Sequence, residues 1–312
     1  MGIRAMGNVD ENTEMSSNLG SCSICGTKER AIKNDYLACT RCGHEELLIK
    51  SAQTFIINDP LDVNDAKGIS LLDRYKLGVM RRWKPNKNNM LIDFGSASGK
   101  FLWNAQGDFD AVAGVEVTKD AVDFSTSVLG LRIVPSINNI EDKVNIITCW
   151  HSLEHVPANI LGGVVCDLAS HLDDNGRILV CVPNADSFQK KLFKNHYTYY
   201  DVPNHHHQFT CASLDLLFAS AGLERIGVAR SWPYNLYGYI QGFLNLICGG
   251  HNALYYRHKR KVNTSGSGRL YIIHYLAFPL VMLPSVLLVL LDAIFINKQG
   301  VVTVCYEKTH QH

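Results

Sequence analysis

Residues 91–102 read LIDFGSASGKFL, and this stretch decides the fold. A strand pattern ends at Asp93, a glycine loop follows, and a helix opens near Lys100. A turn of this kind exposes backbone N–H groups at a helix N-terminus, beside the carboxyl ends of the strands. Glu116 ends the next strand, 21 residues after Gly95. A carboxylate placed there can accept hydrogen bonds from both hydroxyls of a ribose. The loop is D-x-G-x-x-x-G. It is not a dinucleotide fingerprint, because Ala97 and Lys100 stand where that motif needs its second and third glycines. No G-x-x-x-x-G-K-[ST] occurs, which excludes a triphosphate loop.

Outward from this loop, short apolar runs alternate with helical stretches. The runs are 90–94, 111–117, 131–136, 144–150, 176–183 and 224–232. Helices are expected at 70–83, 99–106, 118–128, 157–171 (with Pro157 in its first turn) and 212–221. This is the pattern of a mainly parallel sheet with crossover helices, an α/β fold. A last apolar run, VVTVCYEK at 301–308, reads as a terminal strand. The chain divides into a polar tail (1–20), a cysteine-bearing segment (21–50), a linker with a leading helix (51–88), the α/β core (89–232), an apolar helical insertion (233–299) and the closing strand (300–312).

The 312 residues carry 30 Lys and Arg against 29 Asp and Glu, so the formal charge is +1. That balance argues against a nucleic-acid partner, which calls for a basic excess. The first twenty residues hold no apolar run, so no secretory signal is read there. Ten cysteines without an export signal fit a reducing compartment, where thiols bind metal or are simply buried.

Cys22, Cys25, Cys39 and Cys42 form C-x2-C-x13-C-x2-C, with Gly26 and Gly43 after the pairs. Two such knuckles can aim four thiolates at one tetrahedral zinc ion. A segment this small has little core, so the metal would supply folding energy. A four-cysteine site is closed and therefore structural. His44 and Asp35 are expected on the surface.

These motifs together resemble the class I S-adenosylmethionine-dependent methyltransferases. LIDFGSASG is similar to that family's first motif, VEV with Glu116 to its second, CWHSLEHV (149–156) to its fourth-strand motif and GRILVCVPN (176–184) to its fifth strand. DVPNHHHQFTCASLDLLFASAGLE (201–224) is similar to the D-x-P-x-H-x-x-x-F-[ST] segment of a branch that includes quinone O-methyltransferases and enzymes of glycan biosynthesis. The resemblance covers about residues 70–232 and the final strand. It implies a Rossmann-like sheet of seven strands, the last antiparallel and slotted between the fifth and sixth. It implies S-adenosylmethionine as cofactor, held by Asp93, Gly95, Ser96, Ala97, Gly99 and Glu116. Asn139 falls where the family contacts the adenine, often with Asp, and Trp150 and His151 would flank that base. Ala97 departs from the family's middle glycine. An alanine held left-handed costs about 1–2 kcal/mol.

Methyl transfer needs alignment of donor and acceptor and removal of a proton. Candidate catalytic bases are His155, at the end of the fourth strand, and His205, at the D-x-P-x-H position. His196, Tyr199, Tyr200 and Asp201 are candidates for an acceptor wall. No N-P-P-Y-like run follows the fourth strand, which argues against adenine amino methylation.

Residues 275–291 are uncharged and interrupted by Pro279 and Pro284. A span needs about 20 residues. One crossing would also separate the terminal strand from its sheet. The expectation is a re-entrant or interfacial hairpin bent at the prolines, with 234–250 lying beside it. Arg257, His258, Lys259, Arg260 and Lys261 would face anionic headgroups, and Asp292 would mark the exit. The expected whole is a cytoplasmic methyltransferase, peripherally or monotopically membrane-associated, with a structural zinc ribbon and a small-molecule or lipid-linked acceptor of the glycan type. The alternatives are a quinone-like ring as acceptor, a non-catalytic assembly module, and an RNA-modifying enzyme. The sequence does not set the oligomeric state.

Overall fold

The computed structural model describes residues 20–48, 61–85, 90–249, 252–253 and 268–309. Most of the polar tail, part of the linker and the basic cluster at 257–261 lie outside the described residues.

The chain begins with β1 (Arg30–Lys33), β2 (Tyr36–Cys39) and β3 (Glu45–Leu47), an antiparallel meander carried by the two cysteine knuckles. Each knuckle closes with a glycine N–H on the carbonyl of its first cysteine: Gly26 to Cys22 (2.9 Å) and Gly43 to Cys39 (3.0 Å). Both glycines are left-handed, at φ 72° and 71°. Helices α1 (Val63–Lys67) and α2 (Leu71–Trp83) follow. A Ser70–Asp73 capping box fixes where α2 starts.

The core strands are β4 (Met90–Phe94), β5 (Ala111–Val115), β6 (Arg132–Val134), β7 (Val144–Trp150) and β8 (Leu172–Pro183). Helices α3 (Lys100–Ala105), α4 (Lys119–Ser127), α5 (Leu161–His171), α6 (Phe188–Phe193) and α7 (Cys211–Ala219) lie in the intervening segments and after β8. Between α6 and α7 the two-residue β9 (His207–Gln208) leaves the core and pairs with β3 of the cysteine meander. The core closes with β10 (Leu223–Ala229) and β11 (Val301–Lys308). Its seven strands run in the order β10-β11-β8-β7-β4-β5-β6, and β11 is antiparallel to both neighbours. The terminal strand therefore slots where the resemblance placed it. β7 is buried at every residue, as a strand covered on both faces must be.

Three local expectations change. Pro157 precedes α5 instead of opening it: its carbonyl accepts from Ile160 and Leu161, so a turn comes before the regular helix. β8 starts at Leu172, four residues early. The apolar insertion is not bent at its prolines. It is α8 (Trp232–Cys248) and one continuous helix, α9 (Gly268–Asp292), with Pro279 and Pro284 inside. An apolar helix tolerates proline when neighbours re-satisfy the backbone. The reversal falls between the helices instead. Tyr239 OH donates to Asp292 (2.9 Å), and His274 meets the Gly249 carbonyl (3.0 Å), so α8 and α9 run antiparallel and return the chain to β11.

Candidate active site

The loop after β4 closes over the end of the sheet. Gly95 and Ser96 donate their N–H groups to the Val115 carbonyl, at 2.8 and 3.1 Å. Gly95, Ala97 and Gly99 are all left-handed, at φ 76°, 48° and 75°. Gly95 and Gly99 are also fixed by space. A β-carbon on Gly95 would lie 2.5 Å from Ser152 Cβ, and one on Gly99 2.6 Å from Leu131 Cδ1. Ala97 keeps its β-carbon in the strained conformation, and the Ala97 N–H is held by Glu116 Oε2 at 2.9 Å.

Glu116 Oε1 accepts from the N–H groups of Val117 and Thr118, both at 2.8 Å. The carboxylate thus ties two turns together at 5% exposure. Three of its roughly four lone-pair positions are used, which leaves one for a ribose hydroxyl. Asp93 lies beneath the loop, and the Thr148 hydroxyl donates to it at 2.6 Å. Burial pushes its carboxyl up to about 7, against the opposing pull of Thr148 and of Lys76 on α2. Ser96 is buried and its hydroxyl has no partner.

Trp150 ends β7 on the α3 side, edge-on to Phe101 (5.4 Å between ring centres) and beneath the Lys76 ammonium. Asn139 is exposed in the short turn Ile137–Asn139 that follows β6. His151 turns left-handed at φ 55°, stacks on Tyr199 at 6.1 Å and meets Tyr234 at a tilt of 52° and 4.7 Å. Its Nδ1 meets Glu154 Oε1 at 3.0 Å. Burial opposes charge on His151, yet Cys181 and Glu154 hold its pKa up at about 9. Burial likewise works against ionised Glu154, but His151 brings its pKa down to about 2. Each partner thus favours the charged form of the other, as an ion pair does.

The structure brings His155 and His205 together, with ring centres 4.7 Å apart. His155 Nδ1 meets the Asn204 carbonyl at 2.9 Å, and His205 Nδ1 the Tyr199 carbonyl at 3.0 Å. Burial and the nearby His155 charge lower His205 to about 4, so its ring is neutral. Of the expected acceptor wall, Tyr199 is buried at the site. Tyr200 and His196 turn to other neighbours: Tyr200 OH accepts the Asp35 N–H, and the His196 carbonyl accepts from Asn245.

His44 is not a surface residue. It is fully buried, and Asp35 is half-buried. His207 Nε2 faces the Val156 carbonyl at 2.8 Å and so carries the hydrogen, which leaves Nδ1 to accept from His44 Nε2 at 3.0 Å. Tyr36 OH donates to the His205 carbonyl (2.9 Å), Leu47 N–H to that of His206 (2.9 Å) and the Thr210 hydroxyl to that of Cys42 (2.7 Å). The cysteine meander therefore braces the segment that carries His205. The four cysteines converge, with Cys22 and Cys42 sulfurs 3.8 Å apart and those of Cys25 and Cys39 3.4 Å apart. A tetrahedral ion with about 2.3 Å zinc–sulfur bonds needs sulfurs about 3.8 Å apart. Sequence reasoning missed Glu154, Lys76 and the His44–His207 contact. Only Glu154 left a trace, as the neighbour of His155 in the LEH run.

Sheet order, glycine loop and acidic residue after β5 define a class I S-adenosylmethionine-dependent methyltransferase. Residues 71–227, half of the chain, match a family described as a methyltransferase domain, and the chain belongs to that family. No curated protein matches the sequence. Among solved structures the chain is similar to a cyclopropane synthase from Mycobacterium tuberculosis (11% identity, 75% of this chain and 82% of that chain, TM-score 0.46). It is also similar to a SAM-dependent methyltransferase from Archaeoglobus fulgidus (15%, 78% and 97%, 0.44). A third is a geranyl diphosphate C-methyltransferase from Streptomyces coelicolor (11%, 76% and 77%, 0.45).

Proposed function

We propose that the protein methylates a small-molecule or lipid-linked acceptor, of the glycan-intermediate kind, at a membrane surface. One observation carries the membrane part: α9 is inside out. Its polar His274, Ser285 and Asp292 are buried, whereas Leu276, Leu280, Leu283 and Leu287 are exposed, Leu280 at 77%. A helix in water reverses that pattern. A helix whose solvent is lipid keeps it. Among the described residues, Ile272–Asp292 is the one helix long and apolar enough to cross a bilayer. The hairpin returns the chain to β11, which favours a monotopic seating on the cytoplasmic face over a crossing. A groove of about 300 Å³ between the first turn of α2, α8 and α9, lined by Leu71, Trp232, Leu236, Ile240, Leu244 and Phe278, offers room for an apolar tail.

S-adenosylmethionine supplies an activated methyl on sulfur. The loop 95–99 and Glu116 hold the amino-acid and ribose parts, and Asn139 meets the adenine edge. His151, packed against Tyr199 and Tyr234, forms the floor facing the acceptor. His155 and His205 manage the acceptor's proton. One zinc ion on Cys22, Cys25, Cys39 and Cys42 holds the meander that braces His205. The flat stack of His151 with Tyr199 also suits a quinone-like ring, the second reading.

The test is incubation of the full chain with methyl-labelled donor and a membrane lipid extract. Label in an amphiphilic glycolipid fraction is the expected outcome, and label in a ring-containing lipid selects the second reading. Binding of S-adenosylhomocysteine with no label in any fraction removes the acceptor assignment. Absence of binding removes the catalytic one.

A further inference from the structure

Glu154, His155 and His205 form a cluster whose arrangement exceeds what a general base requires. A donor atom from each lies within 4.8 Å of the other two. In both rings Nδ1 faces a backbone carbonyl, that of Asn204 at 2.9 Å and that of Tyr199 at 3.0 Å. A carbonyl only accepts, so each Nδ1 carries a hydrogen, and Nε2 is the nitrogen through which either ring can ligate. Glu154 is fully buried. Its Oε1 meets His151, and its Oε2 has no hydrogen-bond partner. Buried groups of this kind normally find a partner, and an unsatisfied one calls for an explanation such as an ion.

We propose that Glu154 Oε2 and the Nε2 atoms of His155 and His205 bind one divalent transition-metal ion, with its remaining positions open to an acceptor oxygen. Two imidazoles and a carboxylate suit iron(II), zinc or manganese. A ligating histidine almost always donates its second N–H to a carbonyl or carboxylate, which fixes tautomer and ring direction, and both rings here do so. The scaffold is rigid. Glu154 and His155 share one turn, His206 N–H donates to the Glu154 carbonyl at 2.8 Å, and Tyr36 holds the His205 carbonyl.

The role of the open positions rests on the methyltransferase reading. His155 and His205 then act on the acceptor's proton through the ion and not as free bases: an acceptor hydroxyl bound there is more acidic. It releases its proton to water, its oxygen forms the bond to the methyl carbon, and the carbon–sulfur bond breaks to leave a neutral thioether.

The test titrates Mn2+ into the full-length chain loaded with a single equivalent of zinc, enough for the four cysteines only, and follows free Mn2+ by electron paramagnetic resonance. The expected result is one Mn2+ per chain, bound at least tenfold more weakly in Glu154→Gln and in His205→Ala, with zinc content unchanged. No uptake by the wild type, or equal uptake by both variants, overturns the site. If a variant loses its melting transition, the wild type decides alone: spin-echo modulation from two imidazole nitrogens on bound Mn2+ supports the site, and its absence overturns it. S-adenosylhomocysteine binding in the same samples separates the two claims. Donor binding without Mn2+ sinks the metal site only. Mn2+ binding without donor binding sinks methyl transfer and keeps the site.

Discussion

Ala97 holds a β-carbon at φ 48°, where glycine pays no steric penalty. Ala97→Gly should therefore stabilise the fold by about 1 kcal/mol, raising the melting temperature by roughly 2–4 °C. A lower melting temperature would contradict the strain argument. Asp93 titrates in the other direction from most carboxylates. Its folded pKa of about 7 lies above the ordinary 3.8, so its contribution to stability is complete below about 4 and is lost as pH rises to about 7. Asp93→Asn should remove that slope, which for this buried group amounts to a few kcal/mol, at about 1.4 kcal/mol per unit. Unfolding curves from pH 5 to 8 that stay parallel in wild type and variant would refute it. At this scale the sequence carried much: the glycine loop after one strand and Glu116 at the end of the next were readable from their spacing, and the strain at Ala97 from the resemblance to the family's first motif. It did not carry what Glu116 does with its oxygens, or that Glu154 meets His151. Those depend on how turns from separate strands lie against each other, and no local pattern encodes that.

The cysteine meander and the segment that carries His205 share a four-stranded sheet, because β9 adds to β3. The knuckles were legible as spacing. Their union with His205 was not, since β9 is two residues long and gives no periodic signal. The union has a measurable consequence. Stripping zinc should raise the acceptor KM at least tenfold while changing S-adenosylhomocysteine affinity by less than about twofold, because the donor loop belongs to β4 and β5. Hydrogen exchange at 204–208 should accelerate in parallel. Equal loss of both affinities would mean that the meander supports the whole core. The apolar insertion taught the reverse lesson. Its prolines looked like a bend, yet the helix passes through them, because tertiary packing against α8 outweighs a local breaker. Tyr239 and Asp292, 53 residues apart in sequence, pin the two helices at one end.

On the scale of the whole molecule, α9 exposes Leu276, Leu280, Leu283 and Leu287, the face that the proposed membrane seating assigns to lipid. Replacing Leu276, Leu280, Leu283 and Leu287 with serine should reduce co-sedimentation with anionic vesicles at least tenfold and leave donor binding intact. Vesicle binding that survives the change would place the lipid contact elsewhere. A different consequence comes from β11. It is the last strand made, and Val301, Val302, Val304, Cys305 and Tyr306 are all fully buried between β8 and β10. Until that strand is in place the sheet is split open between β8 and β10, although both apolar helices are already made. The seven-stranded body can therefore close only after the helical hairpin exists. A chain truncated after Gly300 should be protease-sensitive throughout its core, and protection equal to that of the full chain would contradict this.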